Sequence, residues 1–231
     1  MSSLALSARL RVATQAAHRR AESTPFVRAL FAGRVPADHY AVALRQWHAV
    51  YSALESGQEA LKHHAIMGEF VDPALYRRPA LENDLARFSS SDARSARPLL
   101  PATATYVERL NDLVQHDPVL LLAHHYVRYL GDLSGGQFLG RAIGRAYALT
   151  DGQGTAFYHF PGLDADAYKT TYRQRLDALR LDDAVAQAVV DEANTAFELN
   201  SGVFVDLGSM AGLEAEQPTP TYGAVASSSA D

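Results

Sequence analysis

The 231-residue sequence contains no cysteine. That absence excludes disulfides, thiolate metal sites, iron–sulfur ligation and a cysteine nucleophile together. An excess of positive charge is also missing: 21 Lys and Arg stand against 26 Asp and Glu, for a net charge of −5. No strong basic field exists to gather phosphates, so a general nucleic-acid partner is not expected. No apolar run approaches the roughly 20 residues that a membrane span needs. The first stretch, "MSSLALSARLRVATQAAH", lacks the continuous apolar core behind basic residues that marks a secretory signal. The expectation is a cytoplasmic protein with no membrane and no nucleic acid among its partners. Hydrophobic side chains are abundant, at 48% of the sequence, which supports a substantial core.

Strand-like alternation is scarce as well, and helical patterning fills the space. An amphipathic helix runs from Leu4 to about Glu22 and stops ahead of Pro25. A second long helix starts near Pro36, with apolar residues recurring at three and four. A short helix is expected from Asp72-Pro73 to about Phe88, followed by the polar connector "SSSDARSARPLLP". Residues 102–116 and 118–148 give two more helices, and "TDGQGTAFYHFPG" gives a glycine-punctuated loop. Asp164–Leu179 and Asp182–Leu207 complete the pattern, each beginning at an Asp suited to N-capping. The predicted fold is all-α, a single-domain multi-helix bundle. An extension covers residues 1–7, the helical body 8–208, and a Pro-, Ser- and Ala-rich tail 209–231, expected to be disordered.

Most of the nine histidines sit in no recognisable metal pattern, and no HExxH occurs. His124 and His125 are adjacent, so on a helix they point about 100° apart and make no natural chelate. His18 differs through its neighbours. Thr14, Ala17 and Ala21 are small, so a flat, wide ligand can rest against this helix face. Arg11 lies about 10 Å along the axis, suited to a carboxylate at the edge of a planar ligand centred on His18. Glu22, at i+4, can hold the second imidazole nitrogen and fix its tautomer. A plain amphipathic helix with a polar rim accounts for the same residues.

In "HHYVRYLGDLSGGQFLGRAIGRAY" three glycines, Gly131, Gly135 and Gly136, interrupt a helix. Each costs roughly 0.5–1 kcal/mol against alanine. Either a neighbouring helix packs closely here, or the bare backbone approaches a flat ligand. Glycine spacing alone leaves both readings open.

The longer string "AHHYVRYLGDLSGGQ" resembles the distal-helix signature of heme oxygenases, and "ATQAAHRRAES" resembles their proximal segment. "AYKTTYRQRLDAL" and "AFELNSGVF" resemble later helices of the same family, and the likeness runs in order over residues 8–208. It implies heme b, both substrate and cofactor, held between two helices with the His18 imidazole on the iron. It further implies that Gly131, Gly135 and Gly136 leave room for dioxygen above it. Arg11, Lys169 and Arg173 match cations near the propionates, and Tyr126 a propionate-contacting hydroxyl. Asp132 matches the distal carboxylate that organises water for proton delivery, with Arg128 and Asn200 in the same polar network. Phe197 and Phe204 match pocket positions, and Glu22 the partner of the axial histidine. The implied reaction opens heme to biliverdin, carbon monoxide and ferrous iron, using O2 and electrons from a separate reductase or ferredoxin. Arg19 and Arg20 can help dock such a donor, or can simply form a solvated basic face. A non-catalytic heme carrier or sensor on the same scaffold is the alternative. A thiaminase-like relative is disfavoured because that group relies on a cysteine nucleophile.

Overall fold

The computed structural model describes residues 4–88, 98–150 and 152–213. Among these residues every regular element is helical and no strand occurs, as the sequence predicts. Helix α1 (Leu6–Glu22) buries Leu6, Leu10, Thr14, Ala17 and Ala21, one stripe at steps of three and four. The stripe packs along α9 (Asp183–Met210), a 28-residue helix about 42 Å long at 1.5 Å per residue. A second long helix, α3 (Ala37–Ala60), carries the bulkiest stripe: Tyr40, Leu44, Trp47, Tyr51 and Leu54 are all buried. Helix α4 (Arg78–Phe88) lies on α3, and α5 (Pro101–His116) packs against both α3 and α9. Together α3 and α9 form the inner frame around which the other helices are laid.

Three expectations about helix boundaries need correction. Pro25 does end α1, but it also occupies the first turn of a further helix, α2 (Pro25–Phe31). There a missing N–H costs nothing, because the first turn has no partner for it. The helix expected from Asp72 to Phe88 is two pieces, a 3₁₀ turn at Pro73–Leu75 and α4 from Arg78. Pro79 is the reason: it has no N–H to offer the Leu75 carbonyl, and Tyr76 turns extended at φ −59°, ψ 131°. The helix expected over 118–148 is α6 (Leu121–Gly131), a π-helical turn at Asp132–Gly136, and α7 (Gln137–Ala146). Both predicted aspartate caps form. Asp164 accepts from the N–H groups of Asp166 and Ala167 at the start of α8 (Ala165–Ala178), and Asp182 accepts from Val185 N–H on α9. Helix α9 runs to Met210, slightly past the expected Leu207. Of the expected polar connector residues 89–97 lie outside the described residues, as does the expected tail from 214 onward.

The glycine-rich loop before α8 is fixed from below. Gly154 adopts φ +81°, and a Cβ there would strike Phe88 Cε2 at 2.5 Å, so two constraints demand glycine. Fully buried Asp84 on α4 accepts from Ala156 N–H and Phe157 N–H, both at 2.8 Å. Burial raises its carboxyl above the usual range, while the Phe157 and Ala156 N–H groups pull it back. Removing this carboxylate leaves two backbone donors unpaired. Asp84→Ala is expected to cost about 2–4 kcal/mol, read from the urea unfolding midpoint. A shift equivalent to less than about 0.5 kcal/mol would show that the loop does not depend on it.

Candidate functional site

Between α1 and the α6–α7 helix lies a cavity of about 810 Å³. That size is typical of a site for a drug- or cofactor-sized ligand. One wall is α1. Thr14, His18, Ala21 and Glu22 line it, so two of the small residues around His18 face open space, whereas Ala17 is buried in the core. The His18 side chain is half exposed, and its ring stands edge-on to Phe197 with centroids 5.6 Å apart. Its Nδ1 lies 3.3 Å from Glu22 Oε2. A carboxylate at that nitrogen favours the tautomer whose lone pair is on Nε2. Among the described residues Nε2 has no hydrogen-bond partner, so that lone pair is free to bind a metal.

The opposite wall is the main chain of residues 131–136. A Cβ built on Gly131 or Gly135 meets no atom within 4 Å, and one on Gly136 meets Tyr158 Cδ1 at an ordinary 3.6 Å. Close helix packing therefore does not explain these glycines, because no helix is there to be packed against. Gly140, one turn later, is the contrasting case. Its Cβ would lie 2.8 Å from Tyr158 Cβ, the signature of true close approach. The π-helical turn widens the backbone at the same place. It presents uncovered main chain to the cavity across from His18.

Asp132, in that turn, is 8% exposed and points into a buried polar cluster. The Tyr51 hydroxyl donates to Asp132 Oδ2. Arg128 donates from Nε to the Tyr51 oxygen at 3.1 Å and from Nη1 to Asn200 Oδ1 at 2.6 Å. Its Nη2 stays 3.8 Å from Asp132 Oδ1. Burial raises the Asp132 carboxyl above its usual range, although Arg128, Tyr51 and Arg77 oppose the shift. A carboxyl so placed can hold and release a proton nearer neutrality than a surface aspartate can.

Positive charge gathers at one edge of the cavity. Arg11 and Arg173 both line it beside Tyr126. Burial raises the Tyr126 phenol, and the cations of Arg173 and Arg11 lower it again. Two guanidinium groups and a hydroxyl at one rim suit carboxylates on an otherwise flat ligand. Lys169 differs from the expectation: it does not line the cavity, and its ammonium lies 2.9 Å from Asp166, one turn earlier on α8. The other expected residues (Arg11, His18, Glu22, Tyr126, Arg128, Gly131, Asp132, Gly135, Gly136, Arg173, Phe197, Asn200 and Phe204) all border the cavity.

His124 and His125 do separate as their spacing requires. His124 Nε2 lies 2.8 Å from Glu192 Oε1 on α9, whereas His125 Nδ1 lies 2.8 Å from the Tyr172 hydroxyl on α8. Burial lowers His125 to about 3, so it is neutral. Sequence reading missed Trp47 and Tyr158, which line the cavity from α3 and the loop before α8, and Tyr51, which holds Asp132 from behind it. Tyr51 and Trp47 are four apart on the buried stripe of α3. That spacing marks core, and nothing local marks the partner Arg128 contributed by another helix.

Residues 4–206 match the family model described as heme oxygenase. Heme oxygenase 1 of Nostoc sp. is 41% identical over 203 residues, covering 87% of this chain and 85% of that protein. The crystal structure of heme oxygenase-1 from the cyanobacterium Synechocystis sp. in complex with heme is similar at a TM-score of 0.85 and 38% identity. That likeness covers 90% of this chain and 94% of the other. The structure of heme oxygenase from Leptospira interrogans is similar at a TM-score of 0.81 and 36% identity, over 87% and 98% of the two chains.

The glycines give a test that needs no ligand. Gly131→Ala and Gly135→Ala add a methyl to open space and improve helix propensity, so each is expected to hold or raise stability by up to about 1 kcal/mol. Gly140→Ala is expected to lower it through the clash with Tyr158. Thermal unfolding of the three variants measures this. Destabilisation by the first two would mean that the wall is packed.

Proposed function

The chain belongs to the heme oxygenase family, and on that premise we propose how its own residues hold heme and serve the reaction. The enzyme cleaves heme to biliverdin, carbon monoxide and ferrous iron, with O2 as co-substrate and electrons from a separate reductase or ferredoxin. The observation that carries the residue assignment is that Gly131 and Gly135, bare and unobstructed, share one cavity with the free Nε2 of His18. A planar tetrapyrrole fits such a slot. A Cβ on either glycine would project into it.

Heme, when bound, supplies the iron at which O2 is activated and the ring that is opened. His18 would hold the iron through Nε2, with Glu22 keeping the imidazole in the required tautomer. A neutral imidazole donates less electron density than a thiolate would, and so gives less drive to early O–O cleavage. Arg11 and Arg173, with the Tyr126 hydroxyl, would take the propionates and fix the in-plane orientation. The backbone of Gly131–Gly136 would cover the opposite face while leaving volume for a diatomic molecule and water. Phe197 and Phe204 close the apolar flanks.

Asp132 would organise water in that volume and pass on protons. Its carboxylate is held by the Tyr51 hydroxyl, and Arg128 with Asn200 anchors the far side of the same cluster. Burial pushes this carboxyl above the usual carboxylate range, against the pull of Arg128, Tyr51 and Arg77. We place the enzyme in the cytoplasm. That placement is supported by a chain that needs no disulfide and by the lack, among the described residues, of a helix long and apolar enough to cross a membrane.

The purified protein, mixed with hemin, reductant and oxygen, is expected to lose its Soret band as biliverdin appears. His18→Ala is expected to abolish most turnover and to alter the heme spectrum. Asp132→Ala is expected to keep heme binding while losing most of the biliverdin. A stable oxygenated or ferrous complex in the unaltered protein would favour the carrier reading instead. Normal biliverdin yield from Asp132→Ala would remove the proton-delivery role.

A further inference from the structure

Trp47 is the sole tryptophan of the chain. It lies on α3 one turn before Tyr51, is 5% exposed and borders the cavity. Its indole meets Phe204 edge-on, with ring centroids 5.4 Å apart. The guanidinium carbon of Arg128 lies 4.8 Å from the indole centroid and 5.0 Å from that of Tyr51. Both are within the range of a cation–π contact, and tryptophan offers the strongest such face.

The surroundings of Arg128 make this contact consequential. The residue is buried, yet its two short hydrogen bonds go to neutral acceptors, the Tyr51 and Asn200 oxygens. Its nearest carboxylate oxygen is 3.8 Å away. A desolvated guanidinium ordinarily closes on a carboxylate in a bidentate pair. Closing here would leave Asn200 and Tyr51 without their donor and would tie up both oxygens of Asp132. At that separation Asp132 offsets part of the charge without taking a hydrogen bond, and two aromatic faces flank the guanidinium as well.

We propose that Trp47 is a positioning residue of the distal network: its indole face holds the Arg128 guanidinium on Tyr51 and Asn200 and off the Asp132 carboxylate. Asp132 is thereby left free to order water. The inference rests on the proton-delivery reading of Asp132 given above. The geometry it asserts exists without any ligand, so it is tested apart from that reading.

The Arg128 Nε–H signal in a proton–nitrogen NMR spectrum of the heme-free protein is the direct probe, assigned by its disappearance in Arg128→Lys. In the unaltered protein it is expected to be displaced upfield by the indole ring current and protected from solvent exchange. Trp47→Phe is expected to retain part of both effects. Trp47→Leu is expected to lose the displacement and to exchange about tenfold faster. With hemin, reductant and oxygen, Trp47→Leu is expected to yield about fivefold less biliverdin per heme at saturating hemin, and Trp47→Phe to recover most of it. An unchanged Arg128 signal in Trp47→Leu would overturn the proposal whatever the turnover. A lost signal with full biliverdin yield would overturn its catalytic consequence. Should Trp47→Leu fail to fold, Trp47→Met replaces it with the same expectations. Normal yield from Asp132→Ala, with the Arg128 signal behaving as stated, would instead count against the Asp132 reading alone.

Discussion

A helical bundle tends to fill itself, and this one keeps a slot of about 810 Å³ open between α1 and the α6–α7 segment. That constraint governs the rest of the structure. Any leucine or phenylalanine at positions 131 or 135 would fall into the slot, where no atom lies within 4 Å of a Cβ. Glycine leaves nothing to collapse. The loss of side-chain packing along this wall is made up elsewhere, by the fully buried aromatic stripe of α3 and by the long seam between α1 and α9. Polar pins add stiffness where loops approach the slot. Asp84 holds the loop before α8, and Glu192 on α9 joins His124 on α6 to Arg109 on α5.

The polar cluster at the slot's inner end follows from the same constraint. A buried aspartate and a buried arginine would usually form a tight pair, each neutralising the other. Here Tyr51 stands between them, accepting from Arg128 and donating to Asp132. The arrangement leaves Asp132 with an acceptor site toward the cavity and a carboxyl pushed upward by burial. The arginine donates to Tyr51 and Asn200, lies 3.8 Å from Asp132, and has the rings of Trp47 and Tyr51 beside it. Chemistry that needs protons in a dry site requires this kind of separated, satisfied pair.

What the sequence made legible was local. The two aspartate caps at Asp164 and Asp182, the i, i+4 pairing of His18 with Glu22 and the exposure of Thr14 and Ala21 to the cavity follow from helical geometry, and all are present. The glycines raised the right question, and only three-dimensional structure could show that they face open space. The misread elements have specific causes. Pro79 breaks the helix before α4, and Pro25 both closes α1 and opens α2, because a proline that stops one helix suits the first turn of the next. The π-helical turn has no sequence periodicity of its own to reveal it. Tyr51 and Trp47 are not distinguishable in sequence, because a buried helical stripe looks the same whether its residues fill a core or meet an arginine from another helix. Lys169, matched by resemblance alone, pairs with exposed Asp166 and does not border the cavity.

The most direct measurement of the whole account is a crystal structure of the protein with hemin bound. The account requires the iron on His18 Nε2, the tetrapyrrole plane beneath the backbone of Gly131–Gly136, and the propionates at the Arg11, Tyr126 and Arg173 edge. Iron bound to any other side chain, or a heme lying outside the slot with the two walls closed on each other, would contradict it.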